Sequence, residues 1–412
     1  MSVNWTPELR ARLLTCDTDE KLAALADELG KNAQWLKGMR TRFRNEIAAG
    51  RSTAPPKPSK TETPDEGEPS VETAKDRQIA RLKADLGHVR KLYKAQTSET
   101  AGVDAMVAAI RELMPVMAPV PVPSLPPGGA DVDEESLVLL LSDLHIGEIV
   151  DPEQTSGFSV FNVDIARRRV LQTVETAILI ATDKLSNYRF RKLHVFMLGD
   201  LVSGVIHDEL RVNDEVGIVE QMILATDILA EALLMLCQAF PEVHIASVVG
   251  NHGRVSEERY FKGKATNNYD YLVSHMLERM LSGQPNLTWN IPKSFYTVEQ
   301  VENERFLLLH GDVVKSWMGI PFYGLQRAYL KWHALHVDYG KPFDHMIVGH
   351  YHNPNRMTMV RNELIINGCI KGGDEYSIGA IAAACDPSQT LFGVHPRKGI
   401  THYWVIKTAH IV

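Results

Sequence analysis

From about Asp131 to the C-terminus, the sequence predicts an α/β fold. Short apolar runs bounded by polar residues recur at 137–141, 193–198 and 243–249, and such runs are typical of buried strands. Longer stretches between them place apolar residues at the three- and four-residue spacing of an amphipathic helix. In addition, an Asp or Asn follows each of these runs after one intervening residue. Because sites in open α/β sheets gather outside the carboxyl ends of the strands, these polar residues indicate a site.

Strands and helices alternate along this region, as is typical of α/β domains. In chain order we expect a strand at 137–142, a helix near 164–187, a strand at 193–198, helices across 209–239, a strand at 243–249, a helix near 268–282, short strands around 287–309, a helix near 323–336 and final strands from 344 onward.

The bulk composition limits the possible classes of protein. The chain has 412 residues, of which 44% are hydrophobic, so it is longer than one typical domain and can bury a sizeable core. Its net charge of −7 requires any contact with nucleic acid to come from local basic patches. No basic start followed by an apolar core opens the sequence, and no uninterrupted apolar stretch approaches the roughly 20 residues that span a bilayer. We therefore expect a cytoplasmic protein without a membrane partner.

The four cysteines are far apart in the sequence and include no CxxC pair. They are Cys16, Cys237, Cys369 and Cys385. This spacing indicates neither a zinc knuckle nor a disulfide framework and fits a reducing compartment. We expect Cys237 and Cys369 to be core residues rather than metal ligands.

Residues 1–50 are predicted to form a separate small helical unit. One amphipathic helix ends at Gly30, and a second, basic helix follows it. Two helices joined by a short turn that contains glycine resemble a helix-turn-helix module. The alternatives are a generic helical hairpin with a solvated basic face and a protein-binding module. If the unit binds nucleic acid, the expected contacts come from Lys37, Arg40, Arg42 and Arg44.

Three further segments precede the α/β region. Residues 51–74, rich in Pro, Ser, Thr, Glu and Lys, predict a disordered linker. Residues 75–114 predict helices, and a short heptad pattern within 75–97 is a candidate for homodimerisation or for docking on the α/β domain. Residues 115–134 predict an extended, proline-rich spacer, so that the domain itself covers 135–412.

Five motifs at predicted strand ends carry a resemblance to a known family. In chain order they are Asp143-x-His145, Gly199-Asp200, Gly250-Asn251-His252, the strand-terminal His310 and Gly349-His350-x-His352. Side chains in a strand alternate between its faces, so the two polar residues of an Asp-x-His or His-x-His motif point the same way. Over about residues 135–360 the motifs resemble the calcineurin-like metallophosphoesterases. The resemblance implies a four-layer α/β/β/α sandwich of two packed mixed sheets flanked by helices.

The resemblance also implies the ligands of two divalent metal ions. One ion would be bound by Asp143, His145, Asp200 and His352. Asp200 would bridge to the second ion, which Asn251, His310 and His350 would complete. Carboxylate, imidazole and amide ligands without cysteine suit Mn²⁺, our first expectation, with Fe and Zn²⁺ as alternatives. Two such ions clamp a phosphate and turn a shared water into hydroxide, which attacks phosphorus in line.

His252 occupies the position at which the family protonates the leaving oxygen or stabilises the transition state. Many members have an acidic residue after this histidine, whereas here Gly253 and Arg254 follow. Another acid, such as Asp208 or Glu209, would then have to orient the ring. Arg254 is a second candidate catalytic residue because a guanidinium can hold phosphate oxygens bidentately, and the alternative is a surface arginine.

The loop at 259–264 interleaves basic and aromatic residues, and Lys262 and Lys264 are its candidate contacts to nucleic acid. The alternative is a solvated loop with packed aromatic side chains. With the loops at 207–210 and 319–327, this region resembles a branch of phosphoesterases from bacteriophages and prophages that is often labelled as DNA-repair exonucleases. The resemblance implies the cytoplasm of a bacterium or of a phage-infected bacterium.

The sequence therefore predicts a two-metal phosphoesterase, with three interpretations of its task. The first is a nuclease or phosphodiesterase acting on DNA or RNA, which residues 1–50 help to recruit. The second is a phosphodiesterase or phosphatase acting on nucleotides or cyclic dinucleotides. The third is a non-catalytic DNA-binding or assembly protein, against which the complete set of ligands argues.

Overall fold

The chain divides into two units, Met1–Ala84 and Asp85–Val412. A computed structural model describes residues 7–16, 19–29, 32–48, 105–124, 133–206, 214–255, 262–314, 321–374, 377–378 and 385–410. The predicted linker at 51–74 and the heptad segment at 75–97 lie outside the described residues.

The described part of the first unit consists of three helices around a small apolar core. The helices are α1 (Pro7–Thr15), α2 (Asp19–Glu28) and α3 (Ala33–Ala48). The core draws buried side chains from these helices and the residue after α1: Leu13, Cys16, Leu22, Leu25, Ala26, Leu36 and Phe43. Helices α2 and α3 correspond to the two that the sequence predicts, whereas α1 adds a third that closes the core.

The second unit contains a six-stranded mixed sheet in the order β11-β10-β1-β2-β3-β4. Its strands are β1 (Asp133–Leu141), β2 (Tyr188–Met197), β3 (Glu242–Ser247), β4 (Leu287–Asn290), β10 (Ser388–His395) and β11 (Gly399–Lys407). Strands β1 to β4 are parallel, while β10 and β11 run antiparallel to their neighbours. The carboxyl ends of β1, β2 and β3 therefore lie side by side.

A second mixed sheet has five strands in the order β5-β6-β7-β9-β8. They are β5 (Tyr296–Val301), β6 (Glu304–Leu309), β7 (His345–Val348), β8 (Asn355–Met359) and β9 (Asn362–Ile366). Strands β6, β7 and β9 are parallel, and β5 and β8 form antiparallel edges. The ends of β6 and β7 are thus adjacent as well.

Alternation along the strands shows how the layers are stacked. On β1, Leu137 and Leu139 pack with the helices of one outer layer, whereas Val138 and Leu140 face the second sheet. That outer layer comprises α5 (Val163–Leu179), α6 (Ile218–Ala239) and α7 (Tyr269–Met280). The far face of the second sheet packs against α8 (Phe322–Asp338). The predicted α/β/β/α sandwich is confirmed.

Two helices differ from their predicted bounds. The helix predicted near 164–187 is α-helical only to Leu179 and finishes in a π-turn at Ile180–Lys184. Helix α6 begins at Ile218 instead of within a helical stretch from 209, and residues 207–213 are not described. Among the described helices, α6 alone is long and apolar enough to cross a bilayer, with a mean hydropathy of 1.7. Half of that stretch is buried, and its buried apolar side chains pack in the core between the six-stranded sheet and its helices.

The proline-rich segment expected as a spacer is anchored to the α/β domain where it is described. After α4, at 105–113, residues 115–124 have no regular secondary structure. The N–H of Met117 donates to the carbonyl of Met280 (2.8 Å), and Gln284 bonds to the main chain of both Ala118 and Val120 (2.9 and 2.8 Å). These bonds place the segment beside the end of α7.

Candidate metal centre

The seven predicted ligands all lie at carboxyl ends of strands, and both sheets supply them. The first sheet contributes Asp143, His145, Asp200 and Asn251, and the second contributes His310, His350 and His352. Of the eight described non-glycine residues with positive φ, five are in this set: Asp143, His145, Asp200, His350 and His352. Such backbone costs about 1–3 kcal/mol per residue and tends to cluster at functional sites.

Asp143, His145 and His352 form one half of the centre. One donor atom from each lies within 4.8 Å of the others. The Nε2 atoms of His145 and His352 are 3.1 Å apart, and Nε2 of His352 lies 3.3 Å from Oδ1 of Asp143. The carboxylate of Asp143 also accepts the main-chain N–H of His350 (2.9 Å), which ties the two sheets together.

Asp200, Asn251, His310 and His350 form the other half. Nε2 of His310 is 3.0 Å from both Oδ2 of Asp200 and Oδ1 of Asn251. One donor atom from each of Asp200, His310 and His350 also lies within 4.8 Å of the other two. Asp200 also groups with His145 and His252, so its carboxylate stands between the two halves. This is the position expected of a bridging ligand.

The donors fit divalent metal ions. The carboxylates of Asp143 and Asp200 are both buried and face imidazole nitrogens, which are ligands of Mn²⁺, Fe and Zn²⁺. Without a cation, burial lowers the pKa of His310, but the adjacent Asp200 charge outweighs burial and sets that pKa at about 10. Two buried carboxylates require nearby positive charge. Metal ions would supply the same charge and leave the rings neutral.

Close packing of the motif glycines brings the loops together. A Cβ on Gly250 would lie 2.1 Å from Oδ1 of Asp200 and 2.3 Å from its main-chain nitrogen. Any side chain at this position would push the loop after β3 away from the loop after β2. The glycine of the Gly-Asn-His motif is therefore needed for Asp200 and Asn251 to approach the same ion.

His252 is oriented by the main chain rather than by an acid. Its Nδ1–H donates to the carbonyl oxygen of Ser203 (2.7 Å), and its main-chain N–H donates to Oδ1 of Asp200 (2.8 Å). Because a carbonyl only accepts, Nδ1 carries the proton and Nε2 is the nitrogen left for substrate chemistry. The ring lies 4.5 Å from that of His145, measured between centroids. The missing acidic residue after His252 thus has a substitute, while Asp208 and Glu209 lie outside the described residues.

Asp270, which the sequence analysis does not single out, holds the two central loops in place. Its carboxylate accepts the main-chain N–H groups of Asp200 (3.0 Å), Leu201 (3.1 Å) and Gly250 (2.9 Å). Burial and the nearby Asp200 charge raise its pKa to about 6. The sequence indicates this role of Asp270 only weakly, because Asn268-x-Asp270 resembles an ordinary helix start. The Asn268 side chain does cap α7.

The sequence also does not predict a buried network of charged side chains behind His145. Oε2 of Glu148 is 3.5 Å from Nδ1 of His145, and Oε1 pairs with Nζ of Lys371 (2.8 Å). Lys371 pairs with Asp374 as well, and only 3% of its side chain is exposed. Metal-bound histidines usually donate their second ring N–H to a carboxylate or carbonyl. Glu148 is the carboxylate that faces Nδ1 of His145, although the two atoms are not hydrogen-bonded at 3.5 Å. Nothing in the sequence links Glu148 to Lys371, because they meet only in the folded chain.

The residues predicted to contact substrate differ in their exposure and in their bonds to the rest of the protein. Lys262 is exposed, but Lys264 is only 12% exposed, and its Nζ pairs with both oxygens of Asp312 (2.8 and 2.6 Å). The main chain of Arg254 bridges to Asn268, and its side chain is half-buried. The role of Arg254 in holding phosphate oxygens stays a prediction.

In the first unit, the basic residues of α3 are described only in part. The guanidinium of Arg40 donates to the carbonyl of Cys16, and Lys37 is half-buried. The side chains of Arg42 and Arg44 lie outside the described residues. Contact of these four residues with nucleic acid stays a prediction.

Several solved structures are similar to this chain at low identity. They include an archaeal phosphodiesterase (13% identity, TM-score 0.31, covering 66% of this chain and 99% of that one). The zinc complex of Vps29 from Entamoeba histolytica has 14% identity and a TM-score of 0.26, covering 66% and 98%. A conserved protein from Streptococcus pneumoniae, described as a predicted phosphoesterase, has 11% identity and a TM-score of 0.26, covering 66% and 98%. No protein-family model matches the sequence, and no curated protein matches it significantly.

These low scores carry no information about the substrate, so the chemistry rests on the geometry of the centre itself. That geometry brings all seven predicted ligands and His252 together at the junction of the two sheets.

Proposed function

We propose that this protein is a metal-dependent phosphoesterase that hydrolyses phosphodiester bonds. The observation that carries the proposal is the pair of donor groups, one around Asp143 and one around His310, which share Asp200 between them. When bound, two divalent ions would polarise the phosphate and lower the pKa of a water molecule. We expect Mn²⁺, with Fe or Zn²⁺ as alternatives.

The residues of the chain then have separate roles. Asp143, His145 and His352 hold one side of the centre, and Asn251, His310 and His350 hold the other, with Asp200 shared. In its doubly protonated form, His252 donates the proton on Nε2 to the leaving oxygen, while its Nδ1–H stays bonded to the carbonyl of Ser203. Arg254 is proposed to hold the phosphate oxygens.

For the substrate we propose DNA or RNA, with the basic helix α3 and the exposed Lys262 as contacts. A second candidate is a small substrate, such as a nucleotide or a cyclic dinucleotide. Two of the six residues predicted to contact nucleic acid favour it, because their side chains already bond within the protein. Lys264 pairs with Asp312, and Arg40 bonds to the Cys16 carbonyl. We place the reaction in the cytoplasm, where free thiols stay reduced. A homodimer through 75–97 is a further proposal.

A substrate panel tests the activity. The purified full-length chain, loaded with Mn²⁺, is incubated with single-stranded DNA, duplex DNA, RNA, cyclic dinucleotides and bis-p-nitrophenyl phosphate. We expect hydrolysis of the model diester and of at least one nucleic acid, abolished by a chelator and restored by metal. Tight metal binding without hydrolysis of any of the five would contradict the proposal and favour a non-catalytic protein.

Deletion of residues 1–50 separates the two substrate classes. If α3 contacts phosphates, affinity for long DNA falls steeply with salt, and the deletion weakens binding and flattens that dependence. Turnover of bis-p-nitrophenyl phosphate should be unchanged, because the metal ligands begin at Asp143. Identical DNA-affinity curves for the two proteins would remove the recruitment role and favour the small substrate.

A further inference from the structure

Two cysteines that are distant in the sequence meet beside the metal centre. Cys369 follows β9 and Cys385 precedes β10, and their sulfur atoms are 3.6 Å apart. Both are free thiols. Cys369 is fully buried, whereas Cys385 is partly exposed, so a small oxidant can reach the pair from the Cys385 side.

The main chains around the two thiols are already held together. The N–H of Ser388 donates to the carbonyl of Cys369 (2.7 Å). A Cβ on Gly368 would lie 2.5 Å from the carbonyl oxygen of Ser388, so glycine permits this close approach. The sulfurs have to close from 3.6 Å to the bond length of about 2 Å between two segments that are already bonded to each other.

The pair also adjoins the first half of the metal centre. The residue after Cys369, Ile370, donates its N–H to the carbonyl of Asp143 (3.4 Å). A shift of the main chain at Cys369 would thereby reach Asp143, one of the three groups in that half.

We propose that Cys369 and Cys385 form a reversible, peroxide-sensitive disulfide beside the metal centre. The thiolate of Cys385 attacks one oxygen of hydrogen peroxide, the O–O bond breaks, and the departing hydroxide takes a proton to leave as water. The thiol of Cys369 then attacks the sulfur of the Cys385 sulfenic acid and gives up its proton. The S–O bond breaks, and hydroxide again leaves as water. Two thiols and one peroxide give one disulfide and two waters, and a dithiol reductant reverses the reaction by exchange.

Oxidation draws the Cys369 sulfur toward Cys385 and shifts the main chain at Ile370, which bonds to Asp143. This consequence rests on the proposed function, because it concerns binding of a metal ion by Asp143, His145 and His352. Changes in groups that orient a ligand typically alter metal affinity by about 10–100-fold. We expect the oxidised protein to bind one of its ions at least about tenfold more weakly.

Thiol mapping of the metal-free, full-length protein tests the disulfide without relying on activity. Reduced protein is exposed to hydrogen peroxide, alkylated under denaturing conditions and digested for mass spectrometry. The expected product is one linked peptide pair containing Cys369 and Cys385, which disappears after reduction. Cys369→Ser and Cys385→Ser should each abolish it, whereas Cys16→Ser and Cys237→Ser, the matched controls, should retain it. Four alkylated cysteines after peroxide, or a link between other cysteines, would overturn the proposal.

A metal titration then tests the consequence. Calorimetry compares reduced and oxidised protein, with Cys385→Ser treated in the same way as a control. Weaker binding of one ion in the oxidised wild type alone is expected. A disulfide that leaves both affinities unchanged would overturn its coupling to the metal centre. Failure of the proposed phosphoesterase activity is distinguishable, since it would leave the linked peptides intact.

Discussion

The two halves of the metal centre surround the second nitrogen of their histidines with different groups. In the half that contains His145, Nδ1 faces the Glu148 carboxylate at 3.5 Å without a hydrogen bond, and Lys371 balances the charge of that carboxylate. In the other half, Nδ1–H of His310 donates to the main-chain carbonyl of Leu198 at 2.7 Å. One histidine thus faces a side chain that substitution can change, and the other bonds to a group that every residue has.

The difference indicates which half can be tuned by substitution. A carboxylate can be replaced, so mutation at Glu148 can change the first half without touching a ligand. The carbonyl of Leu198 stays in place whatever the side chain, so the second half should tolerate changes around it. We expect the first half to be the more variable in metal affinity.

The largest expected effect comes from the residue that both halves share. Asp200→Asn should remove most of the bound metal and nearly all turnover, because it takes one anionic ligand from each ion at once. Metal analysis and hydrolysis of bis-p-nitrophenyl phosphate measure this, and thermal unfolding in chelator checks that the fold is intact. Two metal equivalents per chain in the variant would show that Asp200 is not the bridge.

His252→Ala should slow the reaction while both metal ions stay bound. Loss of a general acid typically slows a reaction by about 10²–10⁴-fold, and an ester with a good leaving group should lose less. Turnover of activated and unactivated phosphodiesters is compared at full metal occupancy. Loss of metal in this variant would instead make His252 a ligand, as its grouping with His145 and Asp200 allows.

Glu148→Gln should weaken one ion only. A lost carboxylate behind a metal-bound histidine typically costs about 10–100-fold in metal affinity, and the second ion should be unaffected. A two-site calorimetric titration resolves the two ions, with Glu153→Gln, an exposed acid on the following loop, as the control. Equal weakening of both ions would remove the distinction between the halves.

The smallest effect is expected from Leu198→Met. This swap roughly conserves volume in the core between the sheets and should cost less than about 1.5 kcal/mol of stability. Because the carbonyl that accepts from His310 is retained, metal affinity should change by less than about twofold. A tenfold loss in the same titration would show that the second half also depends on side-chain identity.

The sequence predicts the ligands better than the groups that orient them. Asp143, Asp200 and His310 are visible because each lies within two residues of the end of an apolar run, and parallel strands bring such ends together. The apolar runs alone predict an α/β fold, whereas the four-layer sandwich was implied by the family resemblance. In the structure, alternate residues of β1 face opposite layers.

The orienting groups leave no comparable pattern. Glu148 and Lys371 meet only through tertiary packing, and the Ser203 carbonyl that orients His252 is main chain, which sequence does not distinguish. The same holds for Cys369 and Cys385, whose spacing of 16 positions indicates no pair. Asp270 bonds to main-chain N–H groups of loops far from it in the sequence.

The contribution of ligands from both sheets has a consequence for folding. A partly folded chain with only the first sheet would have Asp143, His145, Asp200 and Asn251 but none of the three histidines after β6 and β7. Metal therefore recognises the completed sandwich and stabilises it by mass action, by about 2.7 kcal/mol at a free concentration one hundred times the dissociation constant. Interactions that form after the folding transition state act on the unfolding rate. Bound metal should then slow unfolding and leave the rate of folding almost unchanged.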